Sequence, residues 1–270
     1  MENQEYRCPD GTAIEDFEFI CDDIDSGILK NNFEFICEHV PELLDTYASL
    51  IDFVNYTSMS VAEIDRLRKQ RKYADYLLPI TTLYIIGPHI FGSYVNIMLG
   101  LPQYALYSYR IVAEALAGAA YIDIVLDGKG YKEKVESDEY KYFNLCSAKR
   151  TRPKAVKVLG KKLVERTCSF LDEIASYWIH PIAGYGRTSP RKPAGQLYAI
   201  TLHKLVTGAI PSYIHPPPIV YSKEDILLLK YIAKLAQELD KILIDIYIIW
   251  HNEFNIGPRP HLSNTKYNDV

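Results

Sequence analysis

Between Tyr76 and Tyr109 the chain carries no Lys, Arg, Asp or Glu, and this run ends at Arg110, with Glu114 four places on. Around that pair the residues are otherwise apolar: Leu106, Ile111, Val112, Ala113, Leu116, Ala117 and Ala120 recur with helical spacing. A segment so poor in charge has to be covered by the rest of the chain, so it organises the fold. At about 100° per residue, Arg110, Glu114 and Tyr121 share one stripe of the helix, which places two ionisable groups in surroundings poor in water. Buried charge is costly unless paired, so Arg110 and Glu114 read either as an internal clamp or as part of a site.

The same run is long enough to cross a bilayer. Pro79, Gly87-Pro88 and Gly100-Leu101-Pro102 cut it into pieces shorter than the roughly 20 residues a span needs. Pro79 is expected to kink or end its helix, and Gly87-Pro88 to break the chain again. The region therefore reads as several buried helices, with membrane contact kept as an alternative.

At 270 residues, 48% hydrophobic and 24% charged, the chain can bury a substantial core. The periodicities predict an all-α, multi-helix bundle. It divides into an acidic N-terminal helical region (1–58), a helical core (59–254) and a tail (255–270). Five cysteines (Cys8, Cys21, Cys37, Cys146 and Cys168) lack any C-x-x-C pair, and their odd number argues against a disulfide framework or a zinc ribbon. The polar start MENQEYRCPDGT lacks the pattern of a signal peptide, so a cytoplasmic setting is the simplest expectation. Heavy use of Tyr, with few Met, hints at a thermophile.

Charge is unevenly spread behind a net value of -4. Residues 1–45 hold thirteen acids against Arg7 and Lys30, so the remainder carries a surplus of bases. Such polarity suits docking of the two halves, or a protein partner for the acidic region.

Along the chain, Thr12 and Glu15 form a capping box for a first helix, and its FEFIC (Phe17–Cys21) recurs at Phe33–Cys37. A core helix follows Pro41, and Ser60 with Glu63 is expected to open another. The central helix spans Pro102 to Leu126, ending at Asp127-Gly128-Lys129-Gly130, with Ala113, Ala117, Gly118 and Ala120 making it thin enough for close approach. From Pro153 to His180 one basic, amphipathic helix is expected. Pro181–Gly195 reads as a loop, Gln196–Val206 as a short helix and Pro211–Pro218 as a stiff connector. Ser222 and Asp225 cap a final helix whose wide apolar surface means deep burial or a homodimer seam.

The candidate anion-binding residues are Lys149, Arg150, Arg152, Lys154, Lys157, Lys161 and Lys162 in the basic block, and Arg187, Arg191 and Lys192 in the loop after it. Such cations bind RNA or DNA phosphates by releasing counterions, or else form a solvated face. The candidate catalytic set joins Arg110 and Glu114 to His180, which shares a helix face with Ser176 and would serve as the acid or base. No metal-ligand spacing, Walker loop or dinucleotide fingerprint occurs, and no cofactor is expected.

Over about residues 101–184 this arrangement resembles the HEPN-like helical domains. That resemblance implies nucleotide or RNA binding, with Arg110 as a phosphate ligand and His180 as an acid or base. The arginine followed by histidine four to six residues later, carried by the nuclease branches, is not present. The expected function is binding of RNA or another phosphate ligand, with a ribonuclease-like activity attached to it. The alternatives are a non-enzymatic interaction module in a defence or regulatory complex, or a membrane-contacting effector.

Overall fold

The computed structural model describes residues 27–68, 75–175 and 220–257, with the backbone alone for 58–68 and 103. The described residues are helical with turns and no strand, an all-α fold. The helices are α1 (Leu29–His39), α2 (Pro41–Arg68), α3 (Leu77–Thr81), α4 (Gly87–Met98), α5 (Pro102–Val125), α6 (Tyr131–Glu136), α7 (Asp138–Lys141), α8 (Arg152–Leu159), α9 (Lys161–Ile174) and α10 (Ile226–Phe254). Outside these residues lie the helix begun at Thr12, the loop at 181–195, the elements expected at 196–218, and residues 258–270 of the tail.

The central helix is where the apolar pattern puts it. Leu106, Tyr109, Val112, Ala113, Leu116, Ala117 and Ala120 are wholly buried, and α5 packs on α3, α4, α8, α9 and α10. Its partner is α10, which also packs on α2 and α9 and buries Leu229, Ile232, Leu239, Ile242, Ile246 and Trp250. Apolar residues all round α10 are thus matched by three neighbours within the chain. The capping box of Ser222 and Asp225 forms as expected, with the Ser222 N–H and Oγ–H both donating to Asp225 Oδ2, at 2.8 and 2.9 Å.

Hydrogen bonds thread this interior where tyrosine and asparagine are buried. The hydroxyls of Tyr47 and Tyr109 lie 2.6 Å apart, and Tyr47 also donates to Ser93 Oγ, tying α2, α4 and α5 together. Asn32 Nδ2 donates to the Met98 carbonyl while Asn32 Oδ1 accepts the Tyr221 N–H, each at 2.8 Å. Buried polar groups need such partners, so these bonds fix which surfaces of the helices face each other.

Four expectations are corrected. The chain does not restart at Ser60: α2 is one helix from Pro41 to Arg68, crossing the 58/59 position without interruption. Pro79 does not end a helix either. It sits in the first turn of α3, where its missing N–H is not needed, and the backbone stays helical to Met98. Gly87-Pro88 is absorbed by a π-helical stretch, Thr82–Ile86, in which the Gly87 N–H donates to the Thr82 carbonyl. The wider turn relieves the clash a proline ring makes with the preceding turn.

The fourth correction concerns the basic helix. Gly160 adopts φ 84° and ψ 146°, so the block splits into α8 and α9 instead of one rod. That conformation is open to glycine and strained for other residues, which is why the break falls there. Among the described residues no helix is long and apolar enough to cross a membrane. The charge-free run is largely core, although Tyr84, Phe91, Tyr104 and Tyr107 face outward.

Candidate phosphate-binding cleft

Of the expected catalytic set, Arg110 and Glu114 form the ion pair their spacing implies, with Nε to Oε1 at 3.2 Å. The pair is not in dry surroundings: the side chains retain 30% and 45% exposure. It lies at the edge of α5, one step round from the buried stripe, where water screens it. His180 and Ser176 lie outside the described residues, as do Arg187, Arg191 and Lys192.

The dry ion pair on α5 is a different one. Asp123 is fully buried and accepts four hydrogen bonds: from the Leu77 N–H (2.8 Å), the Leu78 N–H (3.0 Å), Lys134 Nζ (3.0 Å) and Trp250 Nε1 (2.9 Å). Lys134, 1% exposed, also donates to the Asp75 carbonyl at 2.7 Å and lies 4.6 Å from the centre of the Tyr76 ring. Burial pushes the Asp123 carboxyl up, and the N–H donors and the ammonium oppose that push. Every donor around Asp123 belongs to the protein, so this knot caps α3 and holds α6 and α10. It is architecture. The sequence signal was available: Tyr109, Ala113, Leu116, Ala120 and Asp123 follow the core stripe of α5, which Arg110 and Glu114 miss.

The excursion between α5 and α8 builds a feature that gathers predicted binding residues. Ser137 opens α7 by accepting the Tyr140 N–H at 3.2 Å. Phe143 then lies over Gly118, where a Cβ would sit 3.1 Å from its ring, and stacks obliquely on Tyr121 at 5.4 Å. Leu145 is buried beside them. Beyond it the chain folds back through Asn144, whose Oδ1 accepts the Cys146 N–H and whose N–H donates to Thr151 Oγ1. The Arg152 N–H donates to the Ser147 carbonyl at 3.0 Å, closing the loop against the start of α8.

This folding leaves an open cleft of about 330 Å³ lined by Tyr121, Asp138, Glu139, Tyr142, Lys149, Arg150, Thr151 and Lys154. Three of the predicted cations, Lys149, Arg150 and Lys154, therefore line one cleft together, and all three are exposed. Lys154 Nζ stands 3.5 Å from Glu139 Oε1 across the cleft. Lys149 and Arg150 have no carboxylate partner among the described residues. Tyr142, 62% exposed, stands at the rim as a ring with a free face, whereas Tyr121 is buried beneath, and its burial pushes its hydroxyl up. Tyr142 was not singled out in the sequence, because its role depends on the fold of the loop beside it.

The rest of the basic block divides. Arg152 is half-buried, Lys157 and Lys162 project into solvent without carboxylate partners among the described residues, and Lys161 lies 4.0 Å from Glu165. Arg166 is not part of the cationic face: its Nε lies 3.2 Å from Glu238 Oε1 as an ion pair and its Nη2 donates to Asp245 Oδ2 at 2.6 Å, clamping α9 to α10. No histidine, serine or cysteine lines the cleft, and among the described residues no group of three His, Cys, Asp or Glu side chains could hold a metal ion. The arrangement suits holding an anion with an attached ring. Comparison of the chain with family models, with curated proteins and with solved structures gave no match in any of the three.

Proposed function

We propose that this chain binds single-stranded RNA, or a shorter phosphate-bearing nucleotide, in the cleft between α7, the Tyr142–Thr151 loop and α8. The observation that carries the reading is the juxtaposition of Lys149, Arg150 and Lys154 with the exposed ring of Tyr142. Cations that follow the backbone and an aromatic ring on which a base stacks are the two parts single-strand binding needs. The volume matches a site for one nucleotide, since small-ligand pockets begin near 300 Å³. Asp138 and Glu139 add acceptors suited to sugar hydroxyls, the groups that distinguish RNA. Lys157 and Lys162 extend the positive surface along α8 and α9, consistent with a strand that continues beyond the cleft. The resemblance to HEPN-like helical domains points to the same class of ligand.

The test is equilibrium titration of the full chain with a fluorescent single-stranded RNA across a range of salt concentrations. Affinity should fall steeply as salt rises, and the slope should shrink when Lys149, Arg150 and Lys154 are replaced by Glu. Tyr142→Ala should weaken binding about 10-fold with the salt slope unchanged, because it removes stacking and leaves charge alone. Unaltered affinity in both variants, with folding confirmed by circular dichroism, would exclude the cleft.

A further inference from the structure

Most of the charge-free run is core, but α4, α5 and the π-helical stretch before α4 also present large apolar side chains to solvent. Tyr84 is 72% exposed and Phe91 64%, with Leu83, Ile85, Tyr104 and Tyr107 outward as well. The hydrogen bonds show which way α4 and α5 face. The Tyr47 hydroxyl on α2 meets both Ser93 Oγ of α4 and the Tyr109 hydroxyl of α5, which puts α2 beneath the pair. Phe91 and Tyr107 each stand two places earlier, about 200° round their helices, so both point away from α2. Tyr104 precedes Tyr107 by one turn and shares its side. Unlike α10, whose apolar surface meets α2, α5 and α9, this outer side of the α4–α5 pair is left bare.

We propose that the outer side of α4 and α5 is the seam of a two-fold homodimer. Its size fits: the six side chains expose roughly 700 Å², more than the few hundred Å² a monomer ordinarily leaves bare and close to the about 800 Å² each partner gives a stable interface. Its charge fits as well. In a two-fold contact, residues near the axis face their own copies, so like charges there would repel, and the run from Tyr76 to Tyr109 has none. Gly92 supplies a third, independent reason. Glycine weakens a helix interior, yet a Cβ at Gly92 would meet nothing within 4 Å, so no contact within the chain calls for it. It leaves a hollow beside the exposed Phe91 ring. A knob and a hollow side by side on one helix complement themselves when a two-fold axis passes between them, each Phe91 seating over the partner's Gly92.

A lipid surface would ask for something else. Helices that lie on anionic bilayers set Lys and Arg beside their aromatics, and the run that builds this side has neither. Buried Tyr and Phe at the centre with polar groups at the edge are the composition of a protein interface. Arg110 and Glu114 follow Tyr107 by one and two turns, and their ion pair places a neutral rim there. Pairing through this side does not depend on what the cleft binds.

The experiment is sedimentation equilibrium of the full chain over about a hundred-fold range of concentration. The expected result is a reversible equilibrium between one chain and two. Phe91→Glu and Tyr107→Glu, both at exposed positions, should each raise its dissociation constant at least about 10-fold with the circular dichroism unchanged. Gly92→Leu should weaken the dimer as well by filling the hollow, while raising the Tm of the monomer, because leucine is the better helix former. A chain that stays monomeric at every concentration would overturn the proposal, and so would a dimer unaffected by any one of the three substitutions. Flotation of the chain with phosphatidylserine–phosphatidylcholine vesicles, lost in Phe91→Glu while no dimer forms, would overturn it too and assign this side to lipid.

Discussion

Asp123 shows how a single side chain sets the position of several helices. Its carboxylate receives the first N–H groups of α3, an ammonium from α6 and the indole of α10, so its removal strands three N–H donors and leaves a buried ammonium with the Asp75 carbonyl and no counter-charge. Asp123→Ala should therefore cost about 3–5 kcal/mol, the range for breaking a buried, hydrogen-bonded charge pair. Lys134→Met should cost clearly less, because the carboxylate keeps three N–H donors and the methionine chain fills similar space. Urea unfolding of the two variants checks the order; equal losses would mean that the ammonium, and not the N–H donors, holds the knot. Part of this was legible beforehand. Asp123 lies on the same helical stripe as Tyr109 and Leu116, so its burial follows from periodicity. The identity of its partners does not, since Lys134 and Trp250 reach it only through tertiary folding. Arg110 and Glu114 illustrate the converse: the spacing revealed the ion pair, while its half-exposed position depended on how far α8 and the loop extend over α5.

At the level of elements, the boundaries that proline and glycine appeared to impose depended on position within the turn. Pro79 and Pro88 both lie within continuous helical backbone, one in a first turn and one behind a π-helical stretch. Gly160, inside a periodic run of apolar residues, is the true break because its φ is 84°. Nothing crowds a Cβ at that position, so the cost of a side chain there is backbone strain alone. Gly160→Ala should destabilise the protein by about 1–2 kcal/mol, read as a lower Tm in calorimetry. It should also turn α8 relative to α9 and weaken the proposed RNA binding, since Lys154 belongs to one helix and Lys162 to the other. An unchanged Tm would show that the chain accepts another conformation at the break. The sequence carried the apolar pattern of both helices and the basic block, but not the angle between them.

For the whole molecule, α5 and α10 are shared by nearly every other described helix, so the described residues have no part that could keep its core after losing either. Unfolding should follow as one transition. Trp178→Phe leaves Trp250 as the only tryptophan. In that variant the indole fluorescence and the far-ultraviolet circular dichroism should then give the same denaturation midpoint; separated midpoints would reveal independent subregions. The fold class was readable because long periodic runs admit few alternatives. The cleft was not, since it is formed by Tyr121, Glu139, Tyr142 and Lys149, which share no helix face and meet only when the segment after α5 turns back on it.

The knot at Asp123 also bears on how the protein is made. A ribosome that has delivered residues 75–134 has supplied the carboxylate, the ammonium and the start of α3, yet the indole that completes the set follows 116 residues after Lys134. Until Trp250 emerges, one side of the acid faces water, and the interior closes only when the last described helix is laid across the rest.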